Sequence, residues 1–277
     1  MKRLLPFLLC TSPAFASPAF AEVPSVVTDI PPVGSLVAQV MGDLGAPMVL
    51  LDKGGDEHEL ALKPSQMGAI SGAGLVVWVG EDLTHELGHA LEAVDVPKLG
   101  LLAETQTQDY ADGGVNPHAW LSPAVAKAWL GLIAARLSEI DPAHAATYAA
   151  NAAQAQTQVD ALDARLKAQL VGLKPFVTWH DAYGYFATSY ALPYQGGLAS
   201  GEAHDPGAAS VAALQDRVAK GEVACLFPEA QHDPALLAAT GAQMGPALDP
   251  VGSDLDPVPG AWATLMTRLA DGIATCR

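Results

Sequence analysis

Three histidines stand in settings unlike the rest of the chain. "GGDEHELALKP" places His58 between Glu57 and Glu59, just before Lys63-Pro64; "VNPHAWLSP" carries His118; "VTWHDAYGYF" carries His180. A fourth segment, "ALDPVG", adds the carboxylate of Asp249. Three neutral imidazoles and one carboxylate suit tetrahedral Zn²⁺. Mg²⁺ and Ca²⁺ prefer all-oxygen shells, so nitrogen donors point away from them. Four protein donors would also close the coordination sphere, leaving no metal-bound water for hydrolysis. The separations are too long for a local motif. The residue types alone therefore leave two readings open: one site scattered along the chain, or separate solvated histidines with Asp249 capping a turn.

A second group competes with the first. "THELGHALEA" contains His85-Glu86-Leu87-Gly88-His89, the H-E-x-x-H pattern of zinc peptidases. On a helix His85 and His89 share a face, and Glu86 is the general base of that mechanism. The longer form of the pattern fails, because Glu92 and Asp95 occupy its later positions, and Glu104 as third ligand lies beyond another strand. Solvated residues on a short amphipathic helix, or a secondary surface zinc site, remain the competing readings. His204 and His232, in "GEAHDPG" and "EAQHDPA", sit beside acids in loops and suit the rim of a cleft.

The elements that must position these residues follow a strand–helix rhythm. Apolar runs "SVVTDI", "PMVLL", "AGLVVWVG" and "VPKLGLL" alternate with stretches of helical period such as "PPVGSLVAQVMGDLG". Two helices follow. The second starts at Pro142 and runs for about 30 residues, which at 1.5 Å per residue reaches about 45 Å. Four more runs follow: "PFVTWHDAY", "LPYQGG", "VACLFPE" and "PALDPVG". The fold expected is α/β: two lobes, each a four-stranded parallel sheet flanked by helices, joined by one long rigid helix. The boundaries are 22–140 for the first lobe, 141–172 for the helix and 173–277 for the second lobe. His58, His118, His180 and Asp249 each fall after a run, at the strand ends where parallel sheets bind ligands.

Charge and cysteines narrow the setting. Lys2 and Arg3, the short apolar "LLPFLLC" and the small residues of "PAFASPAFAE" read as a signal peptide, residues 1–21, cleaved after Ala21. The mature chain then has 12 basic against 30 acidic residues, a charge of −18 that repels nucleic acid and anionic lipid and suits cations. Cleavage removes Cys10 and leaves Cys225 and Cys276, which in an oxidising compartment most simply pair.

The segments "GGDEHELALKPSQM", "NPHAWLSP", "TWHDAYGYFA" and "LDPVGS" together resemble the periplasmic zinc-binding proteins of ABC importers, the metal-specific solute-binding family. The resemblance covers most of the mature chain. It implies a monomeric periplasmic receptor for Zn²⁺, not an enzyme. Such a receptor passes its ion to an inner-membrane permease and is in some cases fed by a metallochaperone. It also implies a rigid helix between the lobes, small lobe motions, and a bridge from Cys225 to Cys276. The family's ligands map onto His58, His118, His180 and Asp249, with Glu57 or Glu59 as the alternative fourth donor. Extended backbone around His58 would turn both glutamates away from its face, which ranks Asp249 first. Glu229 supports the site from behind. Manganese-binding relatives usually carry a glutamate where this chain has His180. Two departures stand out: Asn116 replaces the usual aspartate before Pro-His, and "ETQTQDYADGGV" lacks the family's His-rich loop. Neutral imidazole ligands set an expected loss of affinity below about pH 6.5.

Overall fold

The computed structural model describes residues 22–111, 113–201 and 206–277. The expected signal peptide and His204 lie outside them. In the first lobe β1 (Val26–Thr28), β2 (Met48–Val49), β3 (Leu75–Trp78) and β4 (Lys98–Gly100) form a parallel sheet in the order β2-β1-β3-β4. Its connections are α1 (Pro31–Met41), α2 (Pro64–Ser71) and α3 (His85–Glu92). Prolines at the start of α1 and α2 cost no hydrogen bond, since the first helical N–H groups have no intrahelical partner. A short antiparallel hairpin, β5 (Gln108–Asp109) and β6 (Val115–Asn116), then carries the chain to His118. This hairpin is an addition to the expected strand count.

α4 (Pro123–Ile140) and α5 (Ala145–Gln169) follow. Ser122 caps α4 through its hydroxyl, which accepts from the Val125 amide. The expected long helix is shorter than its sequence pattern. Pro142–His144 forms a 3-10 turn, and α5 ends before Gly172, whose φ of 71° breaks the helix. Its 25 residues span about 38 Å. α5 packs on α4, α1 and the last helix, so it is held along its length by both halves.

The second lobe repeats the plan. β7 (Phe176–His180), β8 (Tyr194–Ala199), β9 (Cys225–Phe227) and β10 (Gln243–Met244) form a parallel sheet ordered β10-β9-β7-β8. It is flanked by α6 (Gly184–Tyr190), α7 (Ala208–Ala219), the single turn α8 (Ala235–Ala238) and α9 (Ala261–Ile273). The eighth expected run, "PALDPVG", is not the fourth strand. That place is taken by Gln243–Met244, and "PALDPVG" contributes only one bridge, Leu248 to Glu229. Pro246 and Pro250 bracket it and withhold ladder donors.

Alternation along β7 sorts its side chains. Val177 and Trp179 enter a small apolar cluster with Leu198, Leu214, Leu226 and Leu237 on the outer face. Phe176 faces the large core, which runs continuously from Trp120 and Trp129 to Phe227 and Trp262. By the same period His180 points inward. The lobes are also pinned directly. Trp120 Nε1 donates to Pro250 O at 2.8 Å, and Trp262 Nε1 donates to Trp120 O at 2.9 Å. Each such buried ring contributes roughly 1.5–3 kcal/mol, so a wide hinge opening would be costly. Cys225 and Cys276 are bonded, tying the end of the chain to β9. Closing a loop of 51 residues is worth about 4 kcal/mol in the chain-entropy account.

Candidate metal centre

The His58 segment is not extended. Residues Glu57–Glu59 form a 3-10 turn, capped by Asp56, whose Oδ1 accepts from the His58 amide at 2.8 Å. This corrects the alternation argument that turned both glutamates away. In a turn of about three residues Glu57 and Glu59 part company. Glu57 is buried beside His58, and Glu59 faces solvent.

His118 follows the hairpin and is fully buried. Asn116 Oδ1 lies 3.0 Å from both the His118 amide and its Nδ1. An amide oxygen only accepts, so Nδ1 carries the proton and Nε2 keeps its lone pair. Asn116 thus holds the His118 ring in place with a neutral amide. His180 closes β7, and its Nδ1 lies 2.5 Å from Glu229 Oε2, which fixes the same tautomer in the second lobe.

The three Nε2 atoms converge. His118 Nε2 is 3.2 Å from His58 Nε2 and 3.2 Å from His180 Nε2. Zn–N arms of about 2.0–2.1 Å place tetrahedral nitrogens about 3.3–3.4 Å apart. Glu57 Oε1 completes the group, 3.9 Å from both His118 Nε2 and His180 Nε2. These four donor atoms lie within 4.8 Å of one another. Glu57 Oε1 is buried and makes no hydrogen bond among the described residues. A buried oxygen left unpaired beside three lone pairs is unfavourable unless a cation sits between them.

Electrostatics agree with that need. Burial pushes the Glu57 carboxyl up to about 8, against the pull of the His180 charge. Burial and then the neighbouring His180 and His58 hold His118 well below the ordinary imidazole value. Burial also opposes charge on His180, but the adjacent Glu229 carboxylate, with Glu57 and Asp56, outweighs it and lifts His180 to about 9. The site without its ion therefore holds protons that a metal would displace.

Asp249 stands apart from this group. Its Oδ1 accepts from the Val251 amide at 3.1 Å, and its Oδ2 accepts from the amide and hydroxyl of Ser253 at 2.7 and 2.9 Å. It binds the turn that follows it. His85, Glu86 and His89 are exposed on α3, and His89 has only Glu92 at 3.9 Å. No metal-holding group among the described residues includes them.

Tyr110 is a residue the sequence did not single out. Its hydroxyl lies 3.1 Å from His118 Nδ1 and donates to Gly201 O across the cleft at 3.3 Å. A Cβ on Gly201 would meet the Tyr110 ring at 1.9 Å, so only glycine admits this contact. The stretch "ETQTQDYADGGV" drew notice only for its lack of histidine.

The family profile described as ZnuA, zinc-uptake complex component A periplasmic, matches residues 26–276. The high-affinity zinc uptake system protein ZnuA of Paracoccus denitrificans (strain Pd 1222) is 41% identical, with 94% of each chain covered. The protein of the same name from Brucella abortus (strain 2308) is 29% identical over 92% of each. A solved ZnuA structure superposes with a TM-score of 0.80 at 26% identity, covering 91% of this chain and 98% of that one. A second, of a ZnuA 138–173 deletion mutant with zinc bound, also gives 0.80 at 26% identity, over 91% and 97%. The chain belongs to the ZnuA family of periplasmic zinc-uptake components.

Proposed function

We propose that this chain binds Zn²⁺ through His58, His118, His180 and Glu57, with Asn116 and Glu229 orienting two of the imidazoles. It carries the ion as cargo to the permease of an ABC importer. Export by residues 1–21 places it in the periplasm, where it acts as a monomer fed by free zinc or by a metallochaperone. The observation that carries the ligand set is Glu57 Oε1, which has no hydrogen-bond partner among the described residues and faces the convergent Nε2 atoms. Asp249, the first choice from sequence, is engaged by its own turn.

Three nitrogen donors favour zinc over manganese, which prefers carboxylate oxygen. The family is one of transport components, so the H-E-x-x-H pattern is not a peptidase centre here. No helix among the described residues is long and apolar enough to cross a membrane. The interlobe tryptophan bonds and the packing of α5 support small lobe motions on loading. The decisive measurement is zinc and manganese titration against competing chelators, paired with anomalous scattering from a loaded crystal. One tight zinc between the lobes, contacted by Glu57, is expected. Signal lodged elsewhere with the crevice vacant would end the reading.

A further inference from the structure

The Tyr110 hydroxyl touches both halves of the molecule at once. It lies 3.1 Å from Nδ1 of His118 and 3.3 Å from the carbonyl oxygen of Gly201, which follows β8 in the second lobe. The directions of these two bonds are fixed. A carbonyl oxygen only accepts, so the hydroxyl hydrogen goes to Gly201. The phenolic oxygen then has only lone pairs to offer His118, whose Nδ1 carries the proton that Asn116 also draws. The ring N–H is therefore shared between Asn116 Oδ1 at 3.0 Å and the Tyr110 oxygen at 3.1 Å. A chain of donors runs from a ligand ring in the first lobe to the main chain of the second.

The surrounding structure is built around this contact. Tyr110 sits at the end of the hairpin that delivers His118. Its amide donates to Gly114 O, and its carbonyl accepts from the Gly113 amide, both at 3.0 Å. Gly201 comes so near that a Cβ there would lie 1.9 Å from the ring and 2.2 Å from the hydroxyl. Tyr110 is half-buried and lines a cleft of about 320 Å³ with Asp82, His85, Pro117 and Ser200, whereas the His118 ring is fully buried. The tyrosine thus links an open cleft to a closed ligand.

We propose that Tyr110 is a positioning residue for the bound ion: by tying the His118 ring to the Gly201 carbonyl, it holds that imidazole aimed at Zn²⁺ while the lobes are closed and sets how slowly the ion leaves. The proposal rests on zinc being the cargo of the buried centre. Hydrogen bonds in a chain polarise one another, so the bond to Gly201 makes the tyrosine oxygen a better acceptor for the His118 proton. Parting the lobes breaks the outer bond and weakens the inner one. The competing account makes Tyr110 a ring that only fills space between the lobes.

Rates and a double-mutant cycle separate the two. The mature protein is loaded with Zn²⁺ and mixed with excess chelator in a stopped-flow fluorimeter, reading tryptophan emission. Trp120 lies 5.1 Å from His118 and reports on the site. Tyr110→Phe keeps the ring and deletes the hydroxyl. Gly201→Ala sets a methyl against the ring and parts hydroxyl from carbonyl, leaving every ligand in place. The expected result for Tyr110→Phe is release about tenfold faster and affinity weakened by a similar factor, with association within about threefold of the unmodified rate. Gly201→Ala should also speed release, and the double variant should release no faster than the faster single one, because both changes break one chain. Release from Tyr110→Phe within about twofold of the unmodified rate would overturn the proposal. So would rate increases that multiply in the double variant, or an affinity loss carried by slower association. Failure of the unmodified protein to bind Zn²⁺ tightly would instead strike the underlying function.

Discussion

Two groups of histidines in this chain make opposite use of local sequence. His85 and His89 are four residues apart on one helix and form the more recognisable motif. They lie exposed, with no further donor grouped with them among the described residues. His58, His118 and His180 share no motif, yet their Nε2 atoms meet within 3.2 Å contacts. What separates the groups is burial and support. His118 and His180 are buried and each has a fixed partner for its second nitrogen, His58 is half-buried in a capped turn, and a buried carboxylate completes the set. A spacing rule supplies two donors on one face. It cannot supply the desolvated pocket and the oriented tautomers that make donors into a site.

The sharpest way to break this contrast is to remove one buried member of the convergent trio. His118→Ala or His180→Ala should lower zinc affinity at least about a hundredfold, since first ligands and their orienting partners each carry large shares of metal affinity. Chelator competition at fixed pH reads the change. A loss of threefold or less in both variants would mean that the convergence is incidental.

The next effect divides the two carboxylates. Glu57→Gln should weaken zinc binding about tenfold or more and leave the melting temperature level or higher, because it removes a buried charge and offers an N–H donor toward the imidazole lone pairs. Asp249→Asn should do the converse. It loosens a turn held by three hydrogen bonds, costing about 1–2 kcal/mol of stability, and spares most of the affinity. If Asp249→Asn proves the more damaging to zinc binding, the sequence ranking of the fourth ligand stands and the geometric one falls.

Protons sharpen the same contrast. His180 and Glu57 are raised to about 9 and about 8, and each must lose its proton to ligate. Below those values protons compete with zinc, so affinity falls as pH drops from 9 and is already falling at neutrality. His118, held well below the ordinary imidazole value, adds no competition until acid pH. Calorimetry in buffers of different ionisation enthalpy should show about two protons released per zinc at pH 7. A pH-independent affinity between 7 and 9 would contradict the assigned environments. The sequence placed the fall near 6.5, because it knew the imidazoles but not the carboxylates packed behind them.

That gap describes what could be read before the structure. The two sheets and the long helix followed from apolar runs and Pro–Gly punctuation, which are local properties. The three convergent histidines sat at recognisable segments, although the expectation that they meet depended on resemblance. The ranking of the fourth donor rested on an extended backbone, whereas the 3-10 turn at Glu57–Glu59 decides which side each glutamate faces. The eighth strand was misplaced for a related reason: "PALDPVG" is apolar, but its prolines bar a ladder that "AQM" can form. Tyr110 left no signal, because its contacts reach Gly201 across 91 residues. Side chains whose role depends on the opposite lobe are invisible to periodicity.

The smallest expected effect falls on the exposed pair. His85→Ala/His89→Ala removes both nitrogens of the H-E-x-x-H pattern. Surface substitutions of this kind move stability by no more than about 0.5 kcal/mol, a factor of about two in any coupled equilibrium. Tight zinc affinity should therefore stay within about twofold, and no peptide-cleaving activity should be present to lose. The pair is not remote, however: His85 lines a cleft with Asp82, Tyr110, Pro117 and Gly201, and Tyr110 touches His118. Extra zinc seen only at high concentration, and lost in the double variant, would make α3 a weak surface site. A tenfold fall in tight binding would instead couple the exposed pair to the convergent trio through Tyr110, and the separation drawn between the two groups would collapse.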